Sequence, residues 1–174
     1  MARRLPNHPD LTVRQIRDAD KAALLDLFER LTPQSRMRRF LAPKPALSRR
    51  ELVYLTELDR VRHAAFVAVA PDGAFVGVAR YACAVGETAV ADIAFAVADA
   101  WQGRGVGTAL ARVLVDHACA NGITRLHATT LPDNGPARKL LKGMGFTVRG
   151  IAEGVLEVEL DLVATVCAGR ARAA

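Results

Sequence analysis

Residues 88–120, TAVADIAFAVADAWQGRGVGTALARVLVDHACA, constrain the fold more tightly than any other stretch of the chain. An apolar run, Thr88–Val97, passes through a short connection into a segment whose apolar positions Val106, Leu110, Val113, Leu114 and Ala118 recur at helical spacing. Between them stand Gly103, Gly105 and Gly107. A glycine inside a helix costs roughly 1 kcal/mol against alanine. The order strand, glycines, helix therefore specifies a sheet with a helix laid on it and bare backbone at the junction.

The flanking segments extend that pattern. Leu11–Arg17 alternates as a strand, and Asp18 or Asp20 then caps a helix through Arg30 that carries Leu24, Leu27, Phe28 and Leu31 on one face. Pro33 opens an arginine-rich helix, PQSRMRRF, and S-R-R-E from Ser48 to Glu51 is a capping box starting a third helix toward Thr56. His63–Ala70 and Ala74–Cys83 are apolar runs joined by Pro71-Asp72-Gly73, which predicts an antiparallel hairpin. Asn121-Gly122 stops the long helix; then come a strand, RLHATT, a helix from Asn134 to Met144 stopped by Gly145, and two strands. The last, VLEVELDLV, directs Leu156, Val158, Leu160 and Leu162 inward and Glu157, Glu159 and Asp161 outward. The order βαα(α)βββαβαββ specifies a mixed α/β (α+β) sheet carrying helices. It implies one domain over 11–163, an N-terminal arm at 1–10 and a loose tail at 164–174.

With 174 residues, 51% hydrophobic and 24% charged, the chain has an ordinary globular composition and enough length for one core. Cys83, Cys119 and Cys167 lie far apart with no C-x-x-C pair, so neither a zinc site nor a disulfide framework is expected. No signal-peptide pattern and no apolar span of about eighteen residues occurs, which predicts a cytoplasmic protein without membrane association. The net charge of +6, with clusters at Arg36, Arg38 and Arg39 and at Arg49 and Arg50, suits an anionic partner. A solvated basic face accounts for any one cluster equally well. One Trp, two Tyr and six Phe, without a stacking motif or a groove-reading helix, argue against nucleic acid.

A helix N-terminus offers unpaired N–H groups and a positive dipole end, and so holds a phosphate wherever the chain lets the anion approach. Side chains at Gly103, Gly105 and Gly107 would block that approach, while Gln102 and Arg104 add donors. From Gly105 the sequence reads G-V-G-T-A-L, without a third glycine, and RLHATT lacks a terminal acid for a ribose. Gly107-Thr108 lacks the lysine of a P-loop.

The segment resembles instead the acetyl-CoA motif Q/R-x-x-G-x-G/A of the GNAT superfamily of N-acetyltransferases, matched by Gln102, Gly105 and Gly107. N-G-P-A-R-K-L-L-K-G-M-G-F, from Asn134, resembles the second motif of that family, and the similarity in element order covers nearly the whole chain. The resemblance implies a splayed sheet. The strands DIAFAV and RLHATT would part to admit the pantetheine arm, whose amides would pair with the backbone around Phe95, Ala96 and Val97. It further implies that Gln102, Gly103, Arg104, Gly105, Val106, Gly107 and Thr108 cradle the pyrophosphate. Asn134 and Ala137 would line the thioester end, with Arg138 in the same cofactor set; Asn134 also reads as a plain N-cap.

Acyl transfer to an amine needs a neutral nucleophile, and a free lysine with a pKa near 10.4 is protonated at pH 7. A base must take that proton. A-D-I-A-F is similar to the family's A-E-I-A-F, which makes Asp92 the candidate base, direct or through water; an exposed structural acid is the alternative reading. The backbone N–H near Val97 would polarise the thioester carbonyl. His63 and His127 are reserve bases. Leu141 stands where many relatives carry a tyrosine that protonates the thiolate.

L-T-P-Q-S-R-M-R-R-F and L-T-E-L-D-R-V-R-H-A-A-F-V-A-V are similar to bacterial protein lysine acetyltransferases that modify acyl-CoA synthetases. That likeness implies an acceptor wall carrying Ser35, Arg36, Arg39 and Phe40. The expected partners are acetyl-CoA and an acceptor protein, an acyl-CoA synthetase among the candidates. A small amine acceptor (polyamine, amino acid or antibiotic) and a non-catalytic acyl-CoA-binding module stand as alternatives. The chain would act as a monomer or as a homodimer paired through its C-terminal strand.

Overall fold

The computed structural model describes residues 3–5 and 8–163. Its strands are β1 (Arg3–Leu5), β2 (His8–Gln15), β3 (His63–Val69), β4 (Phe75–Ala82), β5 (Val90–Val97), β6 (Arg125–Thr130), β7 (Thr147–Ala152) and β8 (Val155–Asp161). Its helices are α1 (Lys21–Glu29), α2 (Pro33–Phe40), α3 (Arg49–Thr56), α4 (Val106–Ala120) and α5 (Gly135–Gly143). The strands form one mixed sheet in the order β1-β2-β3-β4-β5-β6-β8-β7, in which β5 and β6 are the parallel pair.

Local chemistry sets the connections. At the β3–β4 hairpin, Gly73 adopts φ +86° and the Asp72 carboxylate accepts the Ala74 N–H at 2.9 Å, an Asx turn that reverses the chain. Ser48 and Glu51 form the reciprocal capping box of α3. Asp20 precedes α1 but spends its carboxylate elsewhere, on the Arg17 N–H at 2.7 Å and the Arg14 guanidinium at 2.6 Å.

Helices cover the sheet on both faces. α4 buries Val106, Leu110, Ala111, Leu114 and Ala118, packing beside Ala79, Tyr81 and Ile93 in the larger core. At Gly77 an added Cβ would meet Leu110 Cδ1 at 3.0 Å and Val106 Cγ1 at 3.3 Å, so this glycine lets the start of α4 sit tight against β4. On the other face, α1 places Leu24 and Leu27 with Ala65, Val67 and Phe75 in a second core flanked by Leu52 and Leu55 of α3.

The arm expected at 1–10 carries strand instead. Arg3–Leu5 pairs with β2, which begins at His8 rather than at Leu11. A short charged strand is tolerated at a solvent-facing sheet edge, where no second ladder must form. β8 ends at Asp161, and Leu162, buried as expected, lies past the strand. The tail at 164–174 lies outside the described residues.

Candidate active site

β5 and β6 pair over three residues, Val90 with Arg125, Ala91 with Leu126 and Asp92 with His127. Beyond that point each keeps its outer partner: β5 runs on along β4 to Val97, and β6 along β8 to Thr130. The expected splay is present. Ala98 N–H donates to the Val76 carbonyl at 2.9 Å, so the alternation of a strand turns the backbone groups of Phe95 and Val97 away from β4 and into the gap.

A cleft of about 930 Å³ fills the split. One wall is Ile93–Val97, the opposite wall Ala128–Thr130, and its end is closed by Gly105, Gly107 and Thr108 of the α4 start and by Asn134 and Ala137 of the α5 start. The first bond at the α4 N-terminus runs from Ala109 N–H to the Gly105 carbonyl at 3.0 Å. Val106, Gly107 and Thr108 precede it, and their N–H groups lack an intrahelical acceptor. Gly103 and Gly105 adopt φ +71° and +82°, and an added Cβ at either would stand in open space. The notch thus joins free donors, a helix dipole and room for an anion.

Two further observations fit acetyl-CoA to the cleft. Thr130 Oγ1, on the β6 wall, is buried without a hydrogen-bond partner among the described residues, a cost that a polar ligand in the cleft would remove. The edge of β5 that has no strand partner beyond Asp92 matches the amide-bearing arm of the cosubstrate.

The structure distributes the remaining residues singled out from sequence. Gln102 folds back, its amide N–H₂ donating to the Val97 carbonyl at 3.1 Å and lying 3.3 Å from Ser35 Oγ and 3.4 Å from the Asp99 carboxylate. Asp99, which the sequence reading passed over, gathers Ser35 Oγ at 2.7 Å and the Thr32 N–H and hydroxyl, each at 3.1 Å. Burial works against that carboxylate's charge, but these hydrogen bonds outweigh it and hold the carboxyl below its usual range. The node ties α2 to the β5–α4 connection. Its only sequence signal is an acid directly before the glycine motif.

Arg104 lies outside the cleft lining with its guanidinium 5.5 Å from the Trp101 ring centre, and Val106 is core. Asn134 is buried, and its side chain caps α5 by accepting the Ala137 N–H at 3.3 Å. Arg138 reaches the Pro132 carbonyl at 3.0 Å and is not in the lining. Of the acceptor set, Ser35 and Arg39 line the cleft, joined by Arg38. Arg36 does not; it donates to the carbonyls of Leu31, Pro45 and Glu29 and covers the Phe28 ring, clamping the loops around α2. Phe40 packs edge-on against Phe28.

Asp92 is exposed at the point where β5 and β6 part, and its carboxylate makes no hydrogen bond or ion pair among the described residues. His63 is half-buried beside Arg80, and burial first, the Arg80 charge second, pull its pKa down to about 4. Its Nε2 accepts from Arg80, so the imidazole is neutral at pH 7. His127 bonds Glu159 at 2.8 Å, and Glu159 also holds Arg149 at 2.6 Å. Leu141 is buried in the cleft wall. Among the described residues there is no cluster of metal-ligating side chains and no helix long and apolar enough to cross a membrane.

Residues 23–146 match the model of the "Acetyltransferase (GNAT) family". The chain belongs to that family. It is an acetyl-CoA-dependent N-acetyltransferase. The enzyme is 34% identical over 137 residues to an acetyltransferase of Pseudomonas aeruginosa, covering 77% of this chain and 73% of the relative. It is also 34% identical over 114 residues to acetyltransferase Pat of Mycolicibacterium smegmatis, covering 64% of this chain and 34% of that protein. The chain therefore matches about a third of Pat. Its fold superposes on the GNAT domain of Streptomyces lividans PAT with a TM-score of 0.85 at 31% identity, covering 92% and 96% of the two chains.

Proposed function

We propose that this N-acetyltransferase modifies lysine side chains of proteins. The observation that supports this reading best is the likeness to the PAT domain, which spans nearly all of both chains. An exposed acid at the mouth of the split accords with an acceptor presented from outside.

In this reading Asp92 takes the ammonium proton through a water, because it is one methylene shorter than a glutamate and is not itself in the cleft lining, which begins at the next residue, Ile93. The neutral amine forms the C–N bond to the acetyl carbonyl, its nitrogen releases a second proton to solvent, the C–S bond breaks, and coenzyme A leaves as thiolate. The Val97 N–H, aimed into the gap, stabilises the developing oxyanion. Leu141 has no proton to give, so the thiolate is protonated by solvent.

Incubating the enzyme with acetyl-CoA and lysate should add acetyl mass to protein lysines; mass gain confined to small amines would replace the acceptor assignment. Asp92→Ala should lower kcat by about 100-fold or more while leaving the acetyl-CoA Kd unchanged by calorimetry. An unchanged kcat would remove Asp92 from the chemistry.

A further inference from the structure

Arg80 sits within the otherwise apolar strand β4, with 9% of its surface exposed. Arg80 is not itself in the cleft lining but stands behind it: its register partner is Ala94 of β5, which lines the cleft as Arg39 does. Its guanidinium lies 4.7 Å from the Tyr54 ring centre and donates to Nε2 of His63. Arg39 reaches in from α2, half-buried, stacked on the Phe40 ring at 4.9 Å and near enough to Arg80 for the two charges to repel. Neither arginine has a carboxylate partner among the described residues.

Two desolvated like charges are unfavourable unless an anion compensates them. Guanidinium forks match a carboxylate in geometry and charge. Neutral His63, by accepting from one edge of Arg80, fixes the orientation of its fork. Asp92 lies on the same face of β5, two residues from Ala94, about 7 Å along the strand.

We propose that Arg39 and Arg80 form a carboxylate-binding subsite in the acceptor half of the cleft, so that the preferred amine carries a carboxylate close by. The source is an acidic side chain next to the target lysine or the α-carboxylate of a free amino acid. The assignment rests on the reading of this cleft as an amine-acetylating site and specifies what that amine brings with it.

The test compares lysine peptides with flanking Glu against the same peptides with Gln, and methionine against methioninamide, by thiol release. Wild type should favour the acid-bearing acceptor about tenfold or more in kcat/KM. Arg39→Gln should erase that preference with the acetyl-CoA Kd unchanged, and Arg80→Lys, which keeps the charge at the buried site but loses the fork, should weaken it. Turnover of methionine alone would overturn the protein-lysine reading and leave the subsite standing. Turnover without discrimination between acid and amide, or discrimination that survives Arg39→Gln, would overturn the subsite. Independently of turnover, N-acetylglycine should shift the Arg39 Nε–H resonance saturably in wild type where its amide does not; the absence of any shift would also overturn the subsite.

Discussion

At Gly105 the needs of the backbone and of the ligand coincide. Its φ of +82° costs a non-glycine residue roughly 1–2 kcal/mol, and a Cβ there would project into open space that an anion bound at the notch would need. At Gly107 a Cβ would meet Leu140 Cδ2 at 3.5 Å and Val97 Cγ2 at 3.8 Å, which is ordinary contact. Gly105→Ala should therefore lower stability by about 1 kcal/mol and weaken acetyl-CoA binding; Gly107→Ala should weaken binding with the melting temperature nearly unchanged. Thermal melts and calorimetry on both variants separate the two demands. His63 supplies a pH signature. Its pKa in the folded state, about 4, lies below the ordinary value of 6.5, so between those values the unfolded chain binds more protons. Stability must fall as pH drops through that window. Urea melts from pH 7 to 4 should show this slope, and His63→Gln should flatten it.

Elements are where the sequence was most and least readable. The apolar run of β5, the glycines and the 3.6-residue spacing of α4 are local signals, and each lies within the stretch that carried it. The capping box of α3 is equally local. Ser48→Ala should cost about 1 kcal/mol in urea unfolding. Glu51 is held at about 2 by its hydrogen bond with Lys44 and by those with Ser48, so the contribution of its charge to the cap is complete above about 4.5 and is lost as pH falls toward 2. β1 gave no comparable sign, because the three residues RRL are too short to show an alternation. The carbonyls that Arg36 binds belong to Glu29, Leu31 and Pro45, brought together by the path of the chain around α2; an arginine cluster in sequence does not tell a clamp from a binding wall. Arg80 did carry a local sign, a charge inside an apolar run, but its neighbour Arg39 came only with the tertiary fold.

On the scale of the whole molecule, the sheet is two ladders joined by three residue pairs. Ligand in the gap should protect the Phe95 and Val97 amides from hydrogen exchange, while those of Ala94 and Ala96, directed at β4, should change less. Equal protection at all four sites would contradict the assigned edge. At 100 times its Kd, acetyl-CoA should stabilise the fold by about 2.7 kcal/mol.

With acetyl-CoA bound in the gap, that narrow seam would tie the protein's lifetime to metabolism. The joint between the ladders rests on three residue pairs, and a cosubstrate bound in the gap would bridge it. A protease that attacks opened molecules would meet fewest of them when the acetyl donor is abundant, and more of them when it runs short.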